Sequence, residues 1–218
     1  MTISKAAVII SITLFSAPVF SECIVSSPDE ILASDQGGVG SWDFIDEVDE
    51  ICIWNRAASD SGVKQVVAAT HMLASVDELL EIVKDYDNYA DFFKYVGKSK
   101  VIKEIPGGLR VFQQLDLPIP MSDRYYTIDV KVSKLPDQAY RVSWSQVLPS
   151  EISGHGVETK ANEGFWHLQP IADKPETLVL YYLYTRPGGM VFDWMANIGN
   201  EEAIPDTLND VRQELENR

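Results

Sequence analysis

Residues 117–126 read LPIPMSDRYY, and the arginine in that run limits what the chain can fold into. Two prolines and a Ser-Asp pair precede a segment that alternates as a strand does. Arg124 has the parity of Tyr126, Ile128, Val130 and Val132, and in a strand residues two apart share a face. The guanidinium therefore points with an apolar row towards an interior. A buried arginine is costly unless it is paired, so that interior reads as a polar-tipped ligand cavity, not a dry core. Two kinds of partner stay open: a structural carboxylate such as Asp116 or Glu163, pinning neighbouring strands, or the polar head of a ligand.

Strand signals fill most of the remaining chain. Residues 42–48, 51–56 and 63–73, joined by short turns, predict an antiparallel meander. Ser75 and Glu78 form a capping-box pattern, and Leu79, Val83 and Tyr86 follow at helical spacing. A second short helix is expected in 85–96, with Tyr89, Phe92, Phe93 and Tyr95 as packing. Strands resume over 98–105, turn at Pro106-Gly107-Gly108 into 109–117, and continue over 125–135, 140–148, 159–169 and 177–185. Residues 178–184 are apolar on both faces, as a central covered strand is. The chain ends in a helix with two stripes: Val191, Trp194, Met195 and Ile198, then Ile204, Leu208, Val211 and Leu215. Gly199, within 197–200, marks a kink. Strands do not alternate with helices, so the class is α+β with an antiparallel sheet.

Before this pattern lies a start of another kind. Lys5 precedes a mostly apolar run over 6–19, ending at Val19-Phe20-Ser21. That is the layout of a secretory signal peptide over 1–21, short for a membrane-spanning helix. An uncleaved anchor is the other reading. Residues 22–41 form an N-terminal segment and 42–218 one domain. The expected location is secreted or periplasmic. In an oxidising compartment Cys23 and Cys52 either pair or stay independent thiols. The 33 acidic against 18 basic residues, a formal net charge of −15, oppose binding to nucleic acid and favour a monomer.

From about Trp42 to Leu215 the chain resembles the START lipid-transfer domains, within the wider helix-grip superfamily. The ICIWNR strand resembles the family's second strand, and 75–89, with Asp85 and Tyr89, its first helix. LPIPMSDRYY resembles "lP.P.sdRdy". Gly164, Trp166 and Pro170 resemble "g.w.l.P", and Arg186-Pro187-Gly188-Gly189 with Trp194 and Asn197 resemble "dpgG.iP.w..n". The sequence departs from the pattern where Tyr125 follows the arginine in place of aspartate. The resemblance implies a helix-grip fold: a curved antiparallel sheet around a long C-terminal helix, with an internal hydrophobic tunnel holding one lipid and the helix as its lid.

Within that fold the expected ligand-binding residues are Arg124, Tyr126 and Ile128, with Trp144 and Trp166 on the shared even face. Tyr182 and Tyr184 are expected to supply hydroxyls to the tunnel, with core packing as the bland alternative. Trp194 and Ile198 are placed at the mouth beside Gly188-Gly189, and Leu208 on the capping stripe. No cofactor is implied. His71, His155 and His167 lack metal-ligand spacing, His155 reads as an exposed loop residue, and no GxSxG elbow is present. The reading is non-catalytic binding and transfer of one lipid or other hydrophobic small molecule, with transient membrane contact. A cyclase- or hydrolase-type enzyme acting on an aromatic or polyketide-like substrate is the alternative, and a ligand-free interaction module the third. The signal-peptide reading predicts a mature N-terminus near Glu22 in exported protein. Intact Met1 on protein recovered from the cytosol would contradict it.

Overall fold

The computed structural model describes residues 23, 25, 27–32, 38–59, 61–119, 121–189 and 193–218, with backbone alone for 30, 38–39 and 193–202. The expected signal segment and the side chains of Trp194 and Ile198 lie outside the described residues.

The meander is β1 (Gly38–Val48), β2 (Ile51–Ala58) and β3 (Lys64–Met72). β1 begins at Gly38 rather than Trp42. Its turn into β2 places Asp49 and Glu50 at φ 52° and 62°, a two-residue connection whose backbone matches the strand twist. Helix α1 (Val76–Val83) starts on the predicted capping box: Ser75 Oγ accepts from the Glu78 N–H at 3.3 Å, and Glu78 Oε2 accepts from the Ser75 N–H at 2.8 Å. A 3-10 turn (Tyr86–Asn88) and the short α2 (Tyr89–Phe92) follow.

Seven more strands are β4 (Val96–Ile105), β5 (Gly108–Leu115), β6 (Arg124–Lys134), β7 (Tyr140–Val147), β8 (Val157–Glu158), β9 (Ala161–Pro170) and β10 (Thr177–Arg186). The expected strand over 159–169 is β9, and the short β8 just before it, which no sequence signal marked, runs parallel to β6. Among the described residues the strands form one sheet in the order β1-β2-β3-β10-β9-β7-β6-β5-β4. β10 lies in the middle, as its two-faced hydrophobicity requires. The segment carrying α1 and α2 takes the chain from β3 to β4 at the far edge.

Helix α3 (Asp193–Asn217) packs against α1, β3 and β10 on the concave side. It is continuous across 197–200, where a kink was expected. Its irregular point is Pro205, which cannot donate to the carbonyl one turn back. This is the helix-grip arrangement of a curved antiparallel sheet around a C-terminal helix.

The sheet is covered on both faces. The concave core joins Leu79, Ile82 and Val83 of α1 to Ile128, Trp166 and Val179 of the sheet and Ile204, Leu208 and Val211 of α3. The convex core holds Trp42, Trp54, Phe165, Leu180 and Tyr182, and Val25 and Leu32 of the N-terminal segment close over it. Cys23 and Cys52 are joined in a disulfide with Cα atoms 5.9 Å apart, which ties that segment to β2. Replacing both cysteines by serine should lower unfolding stability by about 2–4 kcal/mol and loosen the convex cover. Urea denaturation of the double variant, with thiol labelling of the native protein, checks this.

Candidate functional site

A cavity of about 250 Å³ lies between the concave face and α3, and its two ends differ in chemistry. Where β6 begins and β10 finishes it is lined by Arg124, Gln113, Thr159, Asn162 and Thr185, with Leu115, Leu117, Pro118, Met121 and Pro187 around them. Four residues back along β10, about 13 Å at the usual strand rise, Tyr181 faces inward. There Trp144, Trp166, Tyr86, Tyr89 and Phe93 make the wall aromatic. The Tyr181 ring lies 4.3 Å from Trp166 and 5.8 Å from Trp144, centroid to centroid. Helix α3 contributes Ala203, Thr207 and Asp210.

Arg124 is 4% exposed and faces inward, as its parity requires. Its partners are main-chain carbonyls. Nε donates to the Pro187 oxygen at 2.7 Å, and Nη1 donates to the oxygens of Ser122 and, at 3.2 Å, Asp123. One side chain thereby joins the loop before β6 to the loop after β10. Burial lowers the guanidinium's pKa from its ordinary value, against the pull of the neighbouring Asp123, and arginine remains charged at neutral pH. Neither carboxylate considered in the sequence is the partner. Glu163 precedes the inward-facing Gly164, so it stands on the convex side. Asp116 follows Leu115, the register partner of Arg124, and turns away into the space that Gly97 leaves by lacking a Cβ.

The loop after β10 needs its glycines. Gly188 and Gly189 have φ of +70° and +68°, and a Cβ on Gly188 would lie 2.6 Å from the Glu158 oxygen. On the other loop Asp123 accepts from the Leu117 N–H at 3.3 Å and meets His155 Nδ1 at 3.0 Å. The His155 ring itself is exposed, as expected. The hydrogen bond from His155 holds the Asp123 carboxyl below its usual range.

Polar ties hold α3 from both sides. Lys94 Nζ and the Tyr95 hydroxyl both donate to Asp206 Oδ2 at 2.8 Å, and the Lys94 N–H donates to Asp210 Oδ2 at 2.9 Å. Across the helix, Arg212 donates to the Asp49 oxygen at 2.7 Å and to Thr70 Oγ1 at 2.6 Å. Burial raises the pKa of Asp210, whereas the bond from Lys94 lowers that of Asp206.

Residues 72–212 match the model of a family described as polyketide cyclase / dehydrase and lipid transport. The chain belongs to this family. An uncharacterised protein of Pseudomonas aeruginosa, PA1579, is 23% identical over 179 residues, 81% of this chain and 88% of that protein. A STAR-related lipid transfer protein from Xanthomonas axonopodis superposes with a TM-score of 0.72 at 22% identity, covering 80% of this chain and 98% of the other. Human StAR-related lipid transfer protein 5 gives 0.74 at 12% identity, covering 84% and 89%. These likenesses show the same fold, and the START resemblance read from the sequence stands.

On this polyketide cyclase and lipid transport scaffold, Arg124, Tyr126, Ile128, Trp144 and Trp166 all line the cavity. Tyr182 and Tyr184 do not. Tyr182 stacks on Phe165 at 5.0 Å and meets Trp42 edge-on, and the Tyr184 hydroxyl lies 2.8 Å from Ser61 Oγ, all on the convex side. Tyr181, Leu183 and Thr185 take the inward positions. Leu208 is fully buried in the core with Ile204 and Val211, while the neighbouring helix flank of Ala203, Thr207 and Asp210 faces the cavity. That flank is small and polar, so a search for an apolar stripe passes over it. Among the described residues, candidate metal ligands gather only at Cys23, Glu47 and Cys52, where the two sulfurs are bonded to each other.

Arg124→Met would leave the carbonyls of Ser122, Asp123 and Pro187 without their donor. Urea unfolding should show a loss of about 1–3 kcal/mol, of which Arg124→Lys recovers only part because an ammonium cannot span both loops. A Met variant as stable as the parent would contradict the bridging role.

Proposed function

We propose that this protein is a non-catalytic carrier that holds one hydrophobic, lipid-like molecule in the cavity beneath α3 and works outside the cytosol after export. The observation that carries the reading is an internal, mostly apolar chamber whose polar side chains around Arg124 and on α3 are largely committed to the fold. Arg124 is spent on main-chain carbonyls, Thr159 Oγ1 donates to Gln146, Thr207 to the Ala203 carbonyl, and Gln113 to Ser99. Such a chamber shields apolar surface from water, a gain of roughly 25 cal/mol per Å². The family's description includes lipid transport, and the Xanthomonas and human relatives named above are lipid transfer proteins by name.

Size narrows the ligand. At about 250 Å³ the cavity falls just under the roughly 300–1,000 Å³ usual for small-molecule sites. It suits a compact single-chain or ring-bearing molecule in the closed form, and a two-chain lipid would require α3 to move. Pro205 and the Gly188-Gly189 loop are where such movement meets least backbone resistance. Contact with a donor or acceptor membrane belongs to the same proposal. The export reading rests on the charged start and apolar run of the first 21 residues and on the Cys23–Cys52 bridge, which oxidising compartments favour.

The enzyme reading keeps one supporting observation. Neutral phenols line the aromatic end, and a buried O–H held neutral can donate a hydrogen bond to an oxygen on which negative charge develops. Native mass spectrometry of the protein as purified separates the readings. A carrier should show one co-purified hydrophobic adduct per chain, or take one up unchanged from vesicles. Chemical conversion of the bound molecule would favour the enzyme, and a bare mass with no uptake would favour a ligand-free interaction module.

A further inference from the structure

Leaving a buried polar group unpaired costs about 1–3 kcal/mol, and the cavity wall contains one. Tyr86 is 3% exposed, and its hydroxyl is fully enclosed with no hydrogen-bond partner within 3.5 Å, the Tyr89 hydroxyl being its polar neighbour. The nearby Tyr89, whose ring centroid lies 4.6 Å away, has committed its own hydroxyl proton to the Val83 carbonyl at 2.6 Å. Two further buried phenols line the same cavity, Tyr126 from β6 and Tyr181 from β10. Tyr181 touches Trp144 and Trp166 through its ring but makes no hydrogen bond to a described residue. Tyr126 accepts from the Asn162 amide, whose Oδ1 is taken by Trp144 Nε1 at 2.7 Å, so the Tyr126 proton is left to donate elsewhere.

Burial raises all three phenols well above their ordinary range, and Tyr126 further opposes the ionisation of Tyr86 and Tyr181. They are therefore neutral O–H groups at neutral pH. Arg124, the cation among the lining residues, stands two residues before Tyr126 on β6 and has its donors committed to the carbonyls of Ser122, Asp123 and Pro187. An anion placed among the phenols would be buried without a counter-charge, whereas a carbonyl or hydroxyl oxygen would satisfy them at no such cost.

We propose that the Tyr86, Tyr126 and Tyr181 hydroxyls form a subsite for one uncharged oxygen, a ketone, ester or alcohol, of an otherwise apolar ring-bearing ligand. That oxygen sits deep among the phenols and the hydrocarbon extends towards Arg124. The Trp144, Trp166 and Tyr181 rings supply flat walls for the ring system. This deepens the carrier reading and rests on it.

Fluoren-9-one and fluorene test the subsite, because they share a three-ring skeleton and differ by one carbonyl. Binding is read by quenching of tryptophan fluorescence, with Trp144 and Trp166 in the wall. The ketone should bind about 10-fold tighter, the worth of a buried hydrogen bond. In Tyr86→Phe, Tyr126→Phe or Tyr181→Phe that preference should shrink towards unity while fluorene affinity holds, which also shows that the cavity is intact. Ligand-free Tyr86→Phe should melt no lower than the parent, since it loses an unpaired hydroxyl. A clear fall in its melting temperature would mean a structural partner and would overturn the subsite. So would equal affinity for both probes in the parent, or a ketone preference that survives all three substitutions; either leaves the carrier reading in place. Binding of neither probe would overturn the carrier reading and the subsite together.

Discussion

One buried guanidinium holds together the two loops at one end of the cavity. Arg124 stands at the first residue of β6 and reaches the carbonyl of Pro187, just past the end of β10, while also bonding back to the loop that precedes it. Charge-assisted hydrogen bonds of this kind are stronger than neutral ones, and carbonyls left without them in a buried place are costly. Both loops line the cavity beneath α3, one through Leu117, Pro118 and Met121 and the other through Pro187, so this tie fixes that part of the wall. The positive φ of Gly188 and Gly189 and the turn of Asp116 onto Gly97 are the local conditions under which the arginine can reach its partners.

The broad architecture was legible because its signals are periodic. Strand alternation, the Ser75–Glu78 capping box and the terminal helix stripes all translate directly into elements, and the parity of Arg124 with Tyr126 and Ile128 correctly turned the guanidinium inward. What parity cannot do is choose between the faces of a strand that is apolar on both. β10 is covered by α3 on one side and by the convex core on the other, so Tyr181 with Leu183 and Tyr182 with Tyr184 read alike. The register to β9 decides, because the alternation Gly164, Trp166, Leu168 is inward. The arginine's partners were missed for a related reason. Main-chain carbonyls carry no residue identity, so a search among carboxylates finds Asp116 and Glu163, both of which point elsewhere.

The terminal helix follows the same logic. Its apolar stripe, Ile204, Leu208 and Val211, is spent on the core and anchors the helix. The surface it offers to the cavity is the inconspicuous flank of Ala203, Thr207 and Asp210. Ties from Lys94 and Tyr95 on one side and Arg212 on the other hold the helix across the sheet, with Pro205 among them. A helix held by surface polar bonds at its sides and interrupted once in its backbone ladder covers the cavity, and Pro205 is where the proposed carrier would let it yield. Beneath it, the chamber grades from the arginine end to an aromatic end that holds the unpaired Tyr86 hydroxyl, a polarity gradient that would orient a ligand as well as enclose it.

The central claim is that the space under α3 is where a hydrophobic molecule binds. Ala203→Trp tests it directly, since the added indole fills the cavity from the lid and leaves every sheet residue unchanged. Uptake of N-phenyl-1-naphthylamine, a neutral dye that brightens in apolar surroundings, is measured alongside the melting temperature. The account predicts saturable one-to-one uptake by the parent and its loss in Ala203→Trp at unchanged melting temperature. Equal uptake by both proteins would contradict it.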